Sequence, residues 1–187
     1  MLKRSLDLLV ASAGLAFLWP LLLLLALVIR LDSPGPALHW SQRFGRDNRL
    51  FRMPKFRTMR TDAPDVATEA LEDPDRWITR AGRWLRRTSL DELPQLWSIL
   101  VGDMTLVGPR PALHSQHDLI DLRTRAGVHV LRPGLTGWAQ INGRDVIDLE
   151  RKVELDIEYL HRRSLGLDLA ILFLTLRVAL TGRNVLH

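Results

Sequence analysis

The sequence predicts an α-rich chain with minor β or irregular structure, divided into a membrane segment and one small domain. Three observations support this: an uncharged apolar run from Leu8 to Ile29, a proline-rich stop directly after it, and basic amphipathic patterns beyond. The chain has 187 residues, 47% hydrophobic and 25% charged, enough for a single compact domain beside a membrane element. Its formal charge of +5 points to a polyanionic partner: nucleic acid, anionic lipid or a phosphorylated substrate. Cysteine is absent, which excludes disulfides, thiolate metal sites and a cysteine nucleophile.

The apolar run is longer than a signal-peptide core and lacks a small-residue cleavage site, so it is expected to be retained. As a straight helix it would extend about 33 Å, close to the ~30 Å of a bilayer interior. Pro20 sits within it, after Trp19, and proline costs about 3 kcal/mol inside a helix. Bent there, the segment becomes two arms that each reach about half the bilayer. Lys3 and Arg4 precede the run, and Arg30, Arg43, Arg46 and Arg49 follow, so both flanks carry the positive charge typical of cytoplasmic loops. A kinked span and a hairpin that enters and leaves on one side both remain open on these grounds.

Pro34, Gly35 and Pro36 end the membrane module, giving residues 1–33 as one unit and 34–187 as the other. From Ala37 to Arg60 apolar and basic residues alternate, which reads as short strands or irregular structure. The acidic stretch Thr61 to Asp75 reads as a solvated loop or short helix. Trp77, Ala81, Trp84 and Leu85 share a face of a basic amphipathic helix ending near Thr88. Ser89 and Glu92 then have capping-box spacing for a new helix. Leu149 to Arg163 predicts a charged helix that buries Val153, Ile157 and Leu160. The apolar stretch Leu165 to Leu180, interrupted by Asp168 and Arg177, predicts an in-plane or core-packed helix.

Asp91 and Glu92 are adjacent carboxylates following Arg83, Arg86 and Arg87, and such acids often do no more than complement a helix dipole. Arginines on turns, at Arg110, Arg132 and Arg144, add a second possibility, because guanidinium forks and helix starts hold phosphate. A carboxylate among them can bind Mg²⁺ or attack phosphorus.

The motifs KFRTM (Lys55 to Met59), SLDELPQL (Ser89 to Leu96), GDMTLVGPRP (Gly102 to Pro111), RPGLTGWAQINGR (Arg132 to Arg144) and ELD (Glu154 to Asp156) closely resemble the bacterial sugar transferases. These are the monotopic polyprenyl-phosphate phosphoglycosyl transferases. The resemblance implies transfer of a sugar 1-phosphate from a UDP-sugar to polyprenyl (undecaprenyl) phosphate, with release of UMP. It implies Asp91 as nucleophile and Mg²⁺ ligand, with Glu92 as its partner. Arg86, Arg110 and Arg144 are implied around phosphate, with Lys55 and Arg132 as further candidates and Asp168 at an acidic position of open role. The resemblance also implies a re-entrant membrane helix-break-helix at Pro20, where Trp19 replaces the family's serine. It places the catalytic domain, with its amphipathic interfacial helices, on the cytoplasmic face of the bacterial inner membrane. The expected partners are the UDP-sugar, polyprenyl phosphate and the membrane, not nucleic acid, with a homo-oligomer possible. Two rivals remain: a non-catalytic, membrane-tethered basic module that binds anionic lipid or nucleic acid, and a phosphatase using water in place of the lipid.

Overall fold

In the computed structural model, which describes residues 2–64, 71–143 and 147–181, the N-terminal segment is one helix, α1 (Leu2–Asp32). A hairpin follows, formed by β1 (Leu38–Phe44) and β2 (Leu50–Phe56) around a 3-10 turn at Arg46–Asn48. Next come a single turn α2 (Pro74–Trp77), α3 (Arg80–Thr88), a 3-10 helix at Leu90–Gln95, and α4 (Leu96–Val101). The rest comprises β3 (Thr105–Val107), β4 (Ala112–Leu113), α5 (His117–Arg125), β5 (Gly134–Thr136), α6 (Trp138–Ile141), α7 (Leu149–Arg162) and α8 (Leu165–Thr181). β1 pairs antiparallel with β2 on one side and β4 on the other, and β3 pairs parallel with β5. The α-rich expectation and the short strands after Ala37 are therefore borne out.

Helix α1 continues through Pro20 as a single 31-residue element, so the expected interruption of helical structure there is corrected. The reason lies in packing on both sides of the proline. Leu15 and Leu18 lie on a core cluster built from Ala11, Leu96, Ile99 and Met104, while Leu21 and Leu22 lie on a second, with Leu25, Ile29, Phe56 and Leu85. These contacts hold the turns that proline weakens. Trp19 does not substitute for a serine: its side chain is 58% exposed and, among the described residues, donates no hydrogen bond.

Both ends of α1 are held on the same domain. At its start, Arg4 donates to the Ile99 and Leu100 carbonyls at 2.6 and 3.0 Å, and Asp7 accepts from the Thr105 hydroxyl at 2.7 Å and the Leu106 N–H at 3.0 Å. At its end, Asp32 accepts from the Ala81 N–H at 3.0 Å. Arg57 then donates to the carbonyls of Ser33, Pro34 and Pro36, closing the turn that the Pro-Gly-Pro sequence begins.

Three further expectations change. Trp77 belongs to α2, and α3 buries only Gly82 and Leu85, because a Cβ at Gly82 would lie 2.0 Å from the Thr58 carbonyl oxygen. Ser89 is not the N-cap of a capping box; it adopts a left-handed conformation (φ 55°) and makes no side-chain cap bond. Helix α7 buries Val153, Leu155, Asp156 and Tyr159, with Ile157 only partly covered, since its deepest contact is an ion pair at Asp156. Helix α8 packs Ile171 inward and exposes Leu169, Phe173 and Leu176.

Candidate active site

The left-handed Ser89 ends α3 and redirects the chain into the 3-10 helix, so that Asp91 and Glu92 face the end of β2. Pro94 fits this short element because its missing N–H falls where few intrahelical bonds are needed. Asp91 is 9% exposed. Lys55, near the end of β2, donates to Glu92 Oε1 at 3.1 Å.

Arg110 reaches the same oxygen at 2.8 Å from the Gly108 to Pro111 loop. That loop is clamped. A Cβ at Gly108 would lie 2.4 Å from the Arg132 carbonyl oxygen, and the Gly134 N–H donates to the Pro109 carbonyl at 2.8 Å. Arg123 donates to the Arg110 carbonyl at 2.7 Å and twice to Asp156, at 2.9 and 2.6 Å. Arg43 donates to the Pro111 carbonyl at 3.2 Å. Arg86 donates to the Thr58 hydroxyl at 2.9 Å and lies close enough to Asp91 to lower its pKa.

The two acids of the dyad are treated differently. Burial pushes Glu92 upward, but the charges and hydrogen bonds of Arg110 and Lys55 prevail and hold it well below the carboxylate range. Burial raises Asp91, Glu92 adds to the rise, and Lys55 and Arg86 offset only part of it. Among the described residues, the Asp91 carboxylate has no ion pair and accepts no side-chain hydrogen bond. Burial also lowers the Lys55 ammonium, against the attraction of Glu92.

The structure therefore gathers Asp91, Glu92, Lys55, Arg86 and Arg110. It places Arg132 and Asp168 elsewhere, on a cavity of 440 Å³ that is not lined by the dyad. There Asp168 accepts from Lys3 Nζ and from the Tyr159 hydroxyl, both at 2.6 Å. Arg144 lies outside the described residues. The sequence reading gave no role to Arg123, Asp156 or Arg43, which position the arginine loop. For Arg43 a signal existed: period-two alternation along β1 puts it on the same side of the hairpin as His39, the register partner of Lys55.

The pattern describing "Bacterial sugar transferase" matches residues 1–182. The chain belongs to that family. An undecaprenyl-phosphate glucose phosphotransferase of Komagataeibacter xylinus is 45% identical over 97% of this chain and 36% of its own length. A UDP-N-acetylgalactosamine-undecaprenyl-phosphate N-acetylgalactosaminephosphotransferase of Aeromonas hydrophila is 39% identical over 97% of this chain and 44% of its own. A UDP-glucose:undecaprenyl-phosphate glucose-1-phosphate transferase of Caulobacter vibrioides is 45% identical over 97% and 71%. The chain thus spans less than half the length of the first two bacterial sugar transferases. Glucose and N-acetylgalactosamine enzymes match it over the same share, so similarity does not select a sugar.

Proposed function

We propose that this chain transfers a sugar 1-phosphate from a UDP-sugar to undecaprenyl phosphate, giving undecaprenyl-diphosphate-sugar and UMP, as the first membrane step of polysaccharide or glycoconjugate assembly. The observation that carries the reading is the unequal pairing of the dyad: Glu92 is held by two cations, and Asp91 beside it is not. A nucleophile must keep its lone pairs unengaged while its surroundings neutralise the approaching diphosphate.

In the first displacement an Asp91 oxygen bonds to the sugar-bearing phosphorus, and the bond from that phosphorus to the UMP oxygen breaks. In the second, a phosphate oxygen of the lipid bonds to the same phosphorus, and the aspartyl oxygen leaves as carboxylate. Arg110 and Arg86 orient and neutralise the phosphoryl oxygens. Glu92 fixes Lys55 and Arg110 at the rim of the site.

The residues fit magnesium. Both cations contact Glu92 through Oε1, which leaves Oε2 and the Asp91 carboxylate without a cation partner among the described residues. Among the described residues no group of three His, Asp or Glu is assembled; the ion would be held by one or two carboxylates and completed by substrate phosphate. When bound, the ion would neutralise charge on the diphosphate.

Membrane placement is supported by α1, which is long and apolar enough to cross a bilayer and exposes Leu9, Phe17, Leu23 and Leu27. Both ends of α1 are anchored on one domain, which supports placing its two flanks on the same face of the membrane, taken as the cytoplasmic face of the inner membrane. Single cysteines at Leu2 and Asp47 should label only from that side; labelling from opposite sides would make α1 a helix that crosses the bilayer. For the chemistry, the chain is incubated with labelled UDP-sugar and Mg²⁺. UMP release with labelled sugar phosphate held on Asp91, discharged by undecaprenyl phosphate, supports the transferase. Discharge to water at the same rate would make the chain a hydrolase.

A further inference from the structure

The 440 Å³ cavity away from the dyad has a composition that the transfer reaction does not use. It lies between the first turns of α1, the end of β3 and the start of α8, and is lined by Lys3, Arg4, Arg46, Arg132 and Arg163. Among the described residues that line it, the acids are Asp7 and Asp168, and both are already engaged. Asp7 is 3% exposed and accepts from Thr105 and Leu106; Asp168 is 4% exposed and accepts from Lys3 and Tyr159.

Arg4 is likewise committed to the end of α4. Arg132 and Arg163 are exposed at the cavity and form no ion pair among the described residues; Arg46 has only its neighbour Asp47, at 3.5 Å. The start of α8 adds the positive end of its helix dipole. The two helices whose first turns line the cavity also carry exposed aliphatic side chains: Leu2 (69% exposed) and Leu9 (69%) on α1 and Leu169 (50%) on α8. Unpaired cations around a polar cavity beside exposed aliphatic side chains suit a ligand that carries a phosphate on an acyl tail.

We propose that this cavity binds the phosphodiester headgroup of an anionic glycerophospholipid, at a site separate from the dyad. Arg46, Arg132 and Arg163 hold the phosphate, and the acyl chains run along α1 and α8. The choice of a membrane lipid as occupant rests on the membrane placement proposed above; the cavity's charge does not.

Detergent-solubilised full chain is titrated with short-chain phosphatidylglycerol and with the matching phosphatidylcholine, reading adducts by native mass spectrometry and the thermal unfolding midpoint. Phosphatidylglycerol should bind about tenfold more tightly than phosphatidylcholine. Arg46→Ala/Arg163→Ala should weaken it about tenfold, from two basic contacts near a lipid phosphate. Arg76→Ala/Arg87→Ala, on the exposed surface away from the cavity, should leave it unchanged. Should the first variant unfold, Arg163→Gln alone is used, with a smaller loss in the same direction.

Equal binding of both lipids, or equal loss in both double variants, overturns the site. Displacement by inorganic phosphate at the lipid's own concentration reduces it to a free-phosphate site, and tighter displacement by undecaprenyl phosphate gives it to the acceptor; either result overturns the glycerophospholipid assignment. Release of the chain from membranes by alkaline carbonate would remove the membrane reading alone and leave this titration readable.

Discussion

Two carboxylates, Asp91 and Asp168, are both buried among cations, yet their surroundings make opposite use of them. Asp168 is saturated by Lys3 and Tyr159, tying the start of α1 to α7 and α8. Burial and Asp168 together raise the Tyr159 hydroxyl far above its ordinary value, so it stays a donor. Asp91 faces a similar charge field but has no such partner among the described residues, where its neighbour Glu92 takes both Lys55 and Arg110. The comparison separates an acid that stabilises from an acid that is available to react.

Replacement of Asp91 tests this contrast with the largest effect. Asp91→Asn should abolish detectable UMP release, a loss of at least ~10³-fold as expected for a missing nucleophile. It should also leave the unfolding midpoint at neutral pH unchanged or higher. The folded-state pKa of Asp91 is raised, so its ionised form costs stability once pH exceeds the unfolded value of 3.8, and the amide removes that cost. A lower midpoint would make Asp91 structural.

Glu92→Gln should instead lose both activity and stability, the latter by about 3 kcal/mol as judged by denaturant titration, because it leaves buried Lys55 without its counter-charge. Asp168→Asn should cost about 1–2 kcal/mol, Lys3 being 41% exposed and the Tyr159 bond the better shielded, while turnover stays within a few-fold of wild type. Loss of turnover comparable to Asp91→Asn would erase the distinction between the two acids.

The smallest effect is in the pH profile. Only ionised Asp91 attacks, so turnover should begin to fall with acid at a pH above 3.8. Glu92, with a depressed folded-state pKa, contributes stability that is complete above 4.5 and lost only in stronger acid. Activity should therefore decline before the fold does; coincident transitions in rate and circular dichroism would contradict the assignment.

Much of the site was legible because its parts are local. Asp91 and Glu92 are adjacent, and the Gly-Pro-Arg-Pro loop announces itself by composition. Legibility failed where the partner is distant in sequence. Arg123 and Asp156 are separated by 33 residues, and each alone reads as a surface charge on a helix. Ser89 and Glu92 have the spacing of a capping box, yet the left-handed turn at Ser89 and the cations from β2 and the arginine loop draw Glu92 away.

By itself the sequence determined the elements and the chemistry it could supply: an apolar α1, a basic hairpin, a carboxylate pair and arginines on rigid loops. These follow from periodicity, proline and glycine placement and short motifs, all short-range properties of the chain. Tertiary structure decided that α1 passes Pro20 without a break, since packing on two clusters outweighs one missing hydrogen bond. It also decided which acid stays unpaired. Ionic partners converge from β2, the Gly108 to Pro111 loop and the start of α1, and the field at a carboxylate depends on through-space distances that no local pattern records.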